Sequence, residues 1–309
     1  MNYYDALAKS AQEVDIQPGD TSYFSKPGKE LDPRLFIDGS LRPVVRNAIL
    51  TLLINHLELG YNEPTAWALA YLAGSGVSFQ WSAEREPADL DCLITIDSVK
   101  FRQANNEYRG WSDKEIADEI NQGFKNELHP RTGDFMGSFE LTFYVNLSPN
   151  IEAIKPYAAY SITNDTWSVP PVAQEAPFHP DWDVATSRDV EQATTIIKRY
   201  AVALDQVKNA TNTAMRLNAE TMLSHAVLQG SALFEDIHTS RGMAFGPSGM
   251  GYSDFANYRW QAGKRSGIVQ AMKKLHAVRD QATSNFSSQT YGMELPDAAT
   301  LIRRAQHSQ

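Results

Sequence analysis

Cysteine is almost absent from this chain: 309 residues contain one, Cys92. A single thiol forms no internal disulfide, which fits a reducing compartment. Seven scattered histidines beside that one cysteine give no zinc-ligand spacing. Long apolar runs are missing too, so no membrane span is expected. The opening residues, Met-Asn-Tyr-Tyr-Asp-Ala, lack a basic stretch followed by an apolar one, so a cytoplasmic location is expected. No Gly-x-Ser-x-Gly elbow lies on a strand-to-helix turn, and no Gly-Lys-Ser/Thr follows a strand. A serine hydrolase and a P-loop are therefore disfavoured. No internal repeat is evident.

Positive charge is scarce and unevenly placed. The net charge is −9. Residues 1–184 carry 14 Lys/Arg against 27 Asp/Glu, a net of −13, and residues 185–309 carry 14 against 10, a net of +4. The acidic first part argues against broad, non-specific DNA binding. The basic second part leaves room for a triphosphate, another small polyanion or a local RNA contact.

With 42% apolar residues, the chain can bury a sizeable core in one large or two ordinary domains. Residues 1–40 are interrupted by Pro and Gly and read as a surface-wrapping segment. An amphipathic helix is expected over 41–60, with Pro43 early in it, where proline is tolerated. Residues 67–73 and 90–97 read as strands. Ser112-Asp-Lys-Glu115 is a capping box that opens a helix to about Asn126. Residues 139–146, 157–162 and 166–169 complete a mixed sheet. A proline-rich stretch, 169–180, marks a boundary. Beyond it strand signals fade, and helical periodicity runs over 188–232 and again over 257–282. The expected class is α+β: a mixed sheet with flanking helices over 41–175, followed by an all-α helical domain over 181–309.

Chemistry concentrates in Asp89-Leu90-Asp91. On a strand, residues two apart face the same way, so both carboxylates aim at one point. Like charges held that close repel. A hard cation such as Mg²⁺ relieves the repulsion, because it takes oxygen ligands and keeps waters and phosphates in its shell. Upstream lies Gly74-Ser75-Gly76, with Ser78 two residues on, after an apolar strand. Such a turn offers backbone N–H groups and a hydroxyl to phosphate oxygens. The bland alternative is a solvated Asp-x-Asp turn. It sits poorly with the apolar neighbours Leu90, Leu93, Ile94 and Ile96.

Gly74-Ser75, thirteen residues, then Asp89-Leu90-Asp91 in an apolar strand resembles the signature of the DNA polymerase β-type nucleotidyltransferase superfamily. The chain as a whole is similar to phage-encoded proteins assigned to it, although the motif covers only about residues 67–97. The resemblance implies a nucleotidyltransferase-like mixed sheet and Ser75 near the triphosphate of ATP or another NTP. It also implies Asp89 and Asp91 on Mg²⁺ or Mn²⁺ and a third acid on a neighbouring strand. Glu140 is the candidate for that acid, as metal ligand or as base for the attacking hydroxyl. It is the sole acid on the alternating strand 139–146, and a solvated strand-end glutamate is the competing reading. The family more often has an Asp flanked by apolar residues there. Asp165 is the reserve, although Thr-Asn-Asp-Thr-Trp looks more like a hairpin turn.

The helical part has its own constellation. A glycine-rich stretch, 242–251, precedes Asn257-Tyr258-Arg259-Trp260, then Lys264 and Arg265. Lys264 and Arg265 are candidates for phosphate binding, and Trp260 or Tyr258 for base stacking. The alternative is an ordinary helix with a solvated basic face. His238 reads as a cap or packing residue. Asp181-Trp-Asp183 reads as the opening of the helical domain. Cys92 reads as core packing.

The expected function is Mg²⁺-dependent transfer of an NMP from an NTP to an acceptor hydroxyl, with pyrophosphate released. An RNA end such as that of tRNA is slightly favoured over a small hydroxylated molecule or a protein side chain. A non-catalytic nucleotide-binding or antitoxin-like module of the same fold, or a metal-dependent nuclease, are the alternatives. Oligomeric state is not legible.

Overall fold

The alternation of apolar and polar residues along Phe139–Asn146 is realised as a strand over those bounds. The structure, a computed structural model, describes residues 2–82, 87–148, 150–246 and 248–291. In chain order its helices and strands are α1 (Tyr3–Ser10), β1 (Phe36–Ile37), β2 (Ser40–Leu41), α2 (Pro43–Leu57), α3 (Pro64–Trp67), β3 (Ala68–Ala73), β4 (Ala88–Ile96), α4 (Ser98–Ala104), α5 (Asp113–Gly123), α6 (His129–Thr132), β5 (Phe139–Asn146), β6 (Ala159–Ser161), β7 (Thr166–Val169), α7 (Pro180–Asn209), α8 (Thr213–Ala244), α9 (Phe255–Ser266) and α10 (Ile268–Tyr291).

The chain divides into two compact units. One comprises Asp20–Pro177 and Gly242–Tyr258, the other Met1–Gly19, Phe178–Arg241 and the residues from Arg259 on. The first holds a five-stranded mixed sheet in the order β5-β4-β3-β6-β7. β4 and β5 are parallel, and the other neighbours are antiparallel. The protein is thus α+β, with a mixed sheet and a C-terminal helical region.

One face of the sheet carries Ala70, Leu72, Leu90, Cys92, Ile94, Leu141 and Phe143 into the main core, which also takes Val45, Ile49 and Leu53 of α2 and Ile116 and Ile120 of α5. Period-two alternation puts Asp89, Asp91, Glu140 and Thr142 on the opposite face, which also carries a smaller apolar cluster of Tyr71, Ala73, Leu93 and Ala159. Cys92 is fully buried, and burial raises its thiol pKa, which removes it as a nucleophile.

The capping box at Ser112 forms as expected: Glu115 N donates to Ser112 Oγ and Ser112 N to Glu115 Oε2. The helix it opens passes into a π turn at Phe124–Leu128.

Four expectations are modified. The helix expected over 257–282 is two, α9 and α10, broken at Gly267, whose φ of 84° lies outside the helical range. The segment 1–40 does not simply wrap the surface. α1 buries Ala6 and Leu7 in the core of the helical unit, and Asp20 onward belongs to the sheet unit. The helical stretch 188–232 is two helices, because Asn212 accepts from Met215 N and restarts the chain as α8. The glycine-rich stretch 242–251 belongs to the sheet unit rather than the helical one. There Lys155 Nζ donates to the Gly249 carbonyl and Tyr252 packs on Tyr157, with ring centroids 4.6 Å apart.

Candidate functional site

Asp89 and Asp91 sit on β4, flanking Leu90, whose side chain is fully buried. Both acids therefore face away from the main core. The parallel neighbour β5 sets Glu140 opposite Asp89 and Thr142 opposite Asp91. Asp89, Asp91 and Glu140 thus share one face of the sheet. Thr142 Oγ1 donates to Asp91 Oδ1 at 3.0 Å. Tyr144 is next along that face. Burial raises its phenol pKa, and the charges of Asp91, Glu140 and Asp89 add to the rise, while a hydrogen bond with Thr142 opposes it. Glu140 is exposed.

On the other side of β4, Ala73 of β3 pairs with Asp91, and the chain then turns at Gly74. Gly74 has φ 94° and ψ −162°, a conformation essentially confined to glycine. A Cβ there would lie 3.4 Å from Asp91 Oδ2, and one on Gly76 would lie 2.7 Å from the Asp89 carbonyl oxygen. Two missing side chains therefore let the turn press against the acidic strand. Ser75 begins the single 3₁₀ turn that follows. Ser78, expected beside the nucleotide, is buried and ties the turn from within: its hydroxyl donates to the Ser75 carbonyl at 3.0 Å and accepts from Gln80 N at 3.1 Å.

Ser75, Gly76 and Asp89 line a recess together with Asp32, Gln80 and Trp81. Its enclosed volume is about 20 Å³, room for one water molecule. Asp32 is 2% exposed, and Arg34 grips it through Nε and through Nη2 at 2.6 Å. The same guanidinium lies 4.7 Å from the Phe139 ring centroid. Gln80 is 4% exposed. Its Nε2 donates to the Gln174 carbonyl and to Tyr252 Oη, and its Oε1 has no partner among the described residues.

Asp32 and Gln80 were not foreseen. The available signal was Asp32-Pro33-Arg34, an acid and a fork-shaped cation two residues apart, in a segment that otherwise reads as surface.

Among the described residues, no group of three His, Cys, Asp or Glu side chains is arranged to hold a metal ion. Mg²⁺ does not need such a cage, since it is commonly held by one or two carboxylates together with substrate phosphates. Asp89 and Asp91 fit that mode.

The other candidates fall elsewhere. Asp165 occupies the β6–β7 turn in a left-handed conformation, accepts from Tyr160 Oη at 2.9 Å and pairs with Arg46. That turn follows Ser161, at the opposite end of β6 from Ala159, the partner of Ala73. Lys264 and Arg265 lie in the last turn of α9, in the helical unit, which does not carry the acids. Tyr258 is buried in the sheet unit against Tyr23 and Phe24, so its face is taken. Trp260 is half-buried in the helical unit, with Arg241 5.0 Å from its ring centroid. His238 stacks on Phe234, and burial, with help from Arg241, lowers its pKa. This is a packing role, as expected. Asp181 and Asp183 lie in the first turn of α7, where the helix dipole favours acids. No helix among the described residues is long and apolar enough to cross a membrane.

The chemistry of these side chains carries the functional argument alone, because no family model matches the chain and no curated protein or solved structure matches it either.

Proposed function

We propose that the protein is a nucleotidyltransferase of the polymerase β type, moving an NMP from an NTP to an acceptor hydroxyl with release of pyrophosphate. One observation carries this proposal. Asp89 and Asp91 share a sheet face with Glu140, and a glycine-flanked turn, Gly74-Ser75-Gly76, lies against the same strand. Backbone N–H groups and the Ser75 hydroxyl of that turn would take phosphate oxygens. Asp89 and Asp91 would hold Mg²⁺ or Mn²⁺, which when bound neutralises triphosphate charge and stabilises the entering and leaving oxygens. Glu140 would accept the proton of the acceptor hydroxyl, and the protein's main contribution would be position and charge. The net positive charge of residues 185–309 supports an RNA end, such as that of tRNA, as acceptor.

A second proposal, a nucleotide-binding module without turnover, is favoured by the third acid: Glu140 is exposed, where the family more often has an Asp flanked by apolar residues. A nuclease would have no use for the glycine–serine turn.

The test is label transfer. Each α-labelled NTP is incubated with the protein, Mg²⁺ or Mn²⁺, and separate RNA, protein and small-molecule fractions, beside Asp89→Asn and Asp91→Asn. Label in one fraction, lost in both variants, establishes the activity and names the acceptor class. Transfer that persists in both variants refutes it. Metal-dependent NTP binding without transfer selects the binding module.

A further inference from the structure

A groove of about 690 Å³ runs over the helical unit between α7 and α8, with Arg259 at its wall. That volume is in the range of built ligand sites. On α7 its lining residues Arg188, Gln192, Thr195 and Arg199 recur at helical spacing and form one stripe. Gln229 and Leu233 of α8 face them across the groove.

The charges of this groove are not equivalent. Arg259 is fully engaged: Nε and Nη2 donate to Asp189 at 2.7 and 2.8 Å, and Nη1 donates to Asp236 at 2.7 Å. That pairing also neutralises Asp236, the acid that lines the groove from α8. Arg188 and Arg199 are exposed and make no side-chain hydrogen bond or ion pair to any described residue. Glu191 is the remaining lining acid, so two uncommitted cations face one uncommitted anion. Two guanidiniums eleven residues apart on one helix stand about 16 Å apart along its axis. A stacked strand advances about 3.4 Å per phosphate, so the pair would bracket about five phosphates. Between them Gln192 and Gln229 both donate and accept hydrogen bonds, and Thr195, whose hydroxyl donates to the Glu191 carbonyl at 2.9 Å, keeps an acceptor, which suits the 2′-hydroxyls of RNA. An acidic peptide would supply anions but no such hydroxyls.

We infer that this groove binds the backbone of single-stranded RNA, with Arg188 and Arg199 as its phosphate anchors. The inference needs neither NTP nor metal and does not depend on nucleotidyl transfer.

The experiment is fluorescence anisotropy of a labelled, unstructured RNA of about twelve nucleotides with the full chain, without NTP, from about 50 to 200 mM salt. The expected result is salt-sensitive binding. In the Arg188→Gln/Arg199→Gln double variant it weakens and the slope of log affinity against log salt flattens by about 1.4, or about 0.7 per phosphate contact. Glu191→Gln acts in the opposite direction and tightens binding. DNA of the same sequence binds more weakly. Three results would overturn the inference: no RNA binding by the unmodified chain, a salt slope unchanged in the double variant, or a poly-glutamate peptide held in an arginine-dependent way while RNA is not.

Discussion

Asp89 and Glu140 stand opposite each other across the parallel pair β4–β5, although fifty residues of chain separate them. The register that brings them together also places Thr142 on Asp91, so the two aspartates have different surroundings. Asp91 is oriented by a hydroxyl, whereas Glu140, the base in the proposed reaction, is exposed.

Glu140→Gln should therefore leave NTP binding intact while slowing transfer about 10²- to 10⁴-fold, the usual worth of a general base. Equilibrium NTP binding alongside the label-transfer rate separates the two effects. A rate equal to that of the unmodified protein would reduce Glu140 to a surface residue.

Gly74→Ala should cost about 1–3 kcal/mol, because alanine is excluded from the backbone conformation at this position. The new methyl would also sit 3.4 Å from Asp91 Oδ2, at van der Waals contact, so the backbone shift that relieves the strain acts next to that carboxylate. Urea unfolding gives the stability change. Transfer should fall by more than the stability loss explains.

Arg259→Gln should destabilise the helical unit by about 3 kcal/mol, since it leaves Asp189, 8% exposed, without its cation. Thermal unfolding is the measurement. The effect should be largely lost in an Asp189→Asn background, where no charge is left stranded.

His56 should make stability pH-dependent. It is buried against Phe124, and its Nδ1 has no partner among the described residues. Burial pushes its pKa below the ordinary 6.5. The unfolded chain then binds a proton near pH 6.5 that the folded chain does not take up. Stability is therefore full above that pH and falls as pH drops through it. Denaturant unfolding at a series of pH values, compared with His56→Leu, should show a shallower acid-side loss in the variant.

Much of the sheet was legible because its strands alternate. The strand expected over 139–146 has those bounds, and the one expected over 90–97 forms as Ala88–Ile96, which includes both aspartates. The capping box at Ser112 was legible because its bonds are local. Helix ends were less so. The stretch 188–232 keeps its periodicity in sequence, but one asparagine cap divides it. α1 went unseen because eight residues carry little pattern, and what holds the helix is burial of Ala6 and Leu7 in a core made by distant helices.

The sequence by itself determined that Asp89 and Asp91 share one face, that Leu90 and Cys92 take the other, and that a glycine–serine turn precedes them. These are properties of strand pleat and local backbone freedom. Only the tertiary structure decided which strand lies beside β4, and hence that Glu140 rather than Asp165 stands opposite Asp89. It alone placed Asp32 and Gln80 in the recess, turned Ser78 inward, and put the glycine-rich stretch with the sheet. Strand order and long-range packing are set by burial of whole faces against distant segments, which no local pattern encodes.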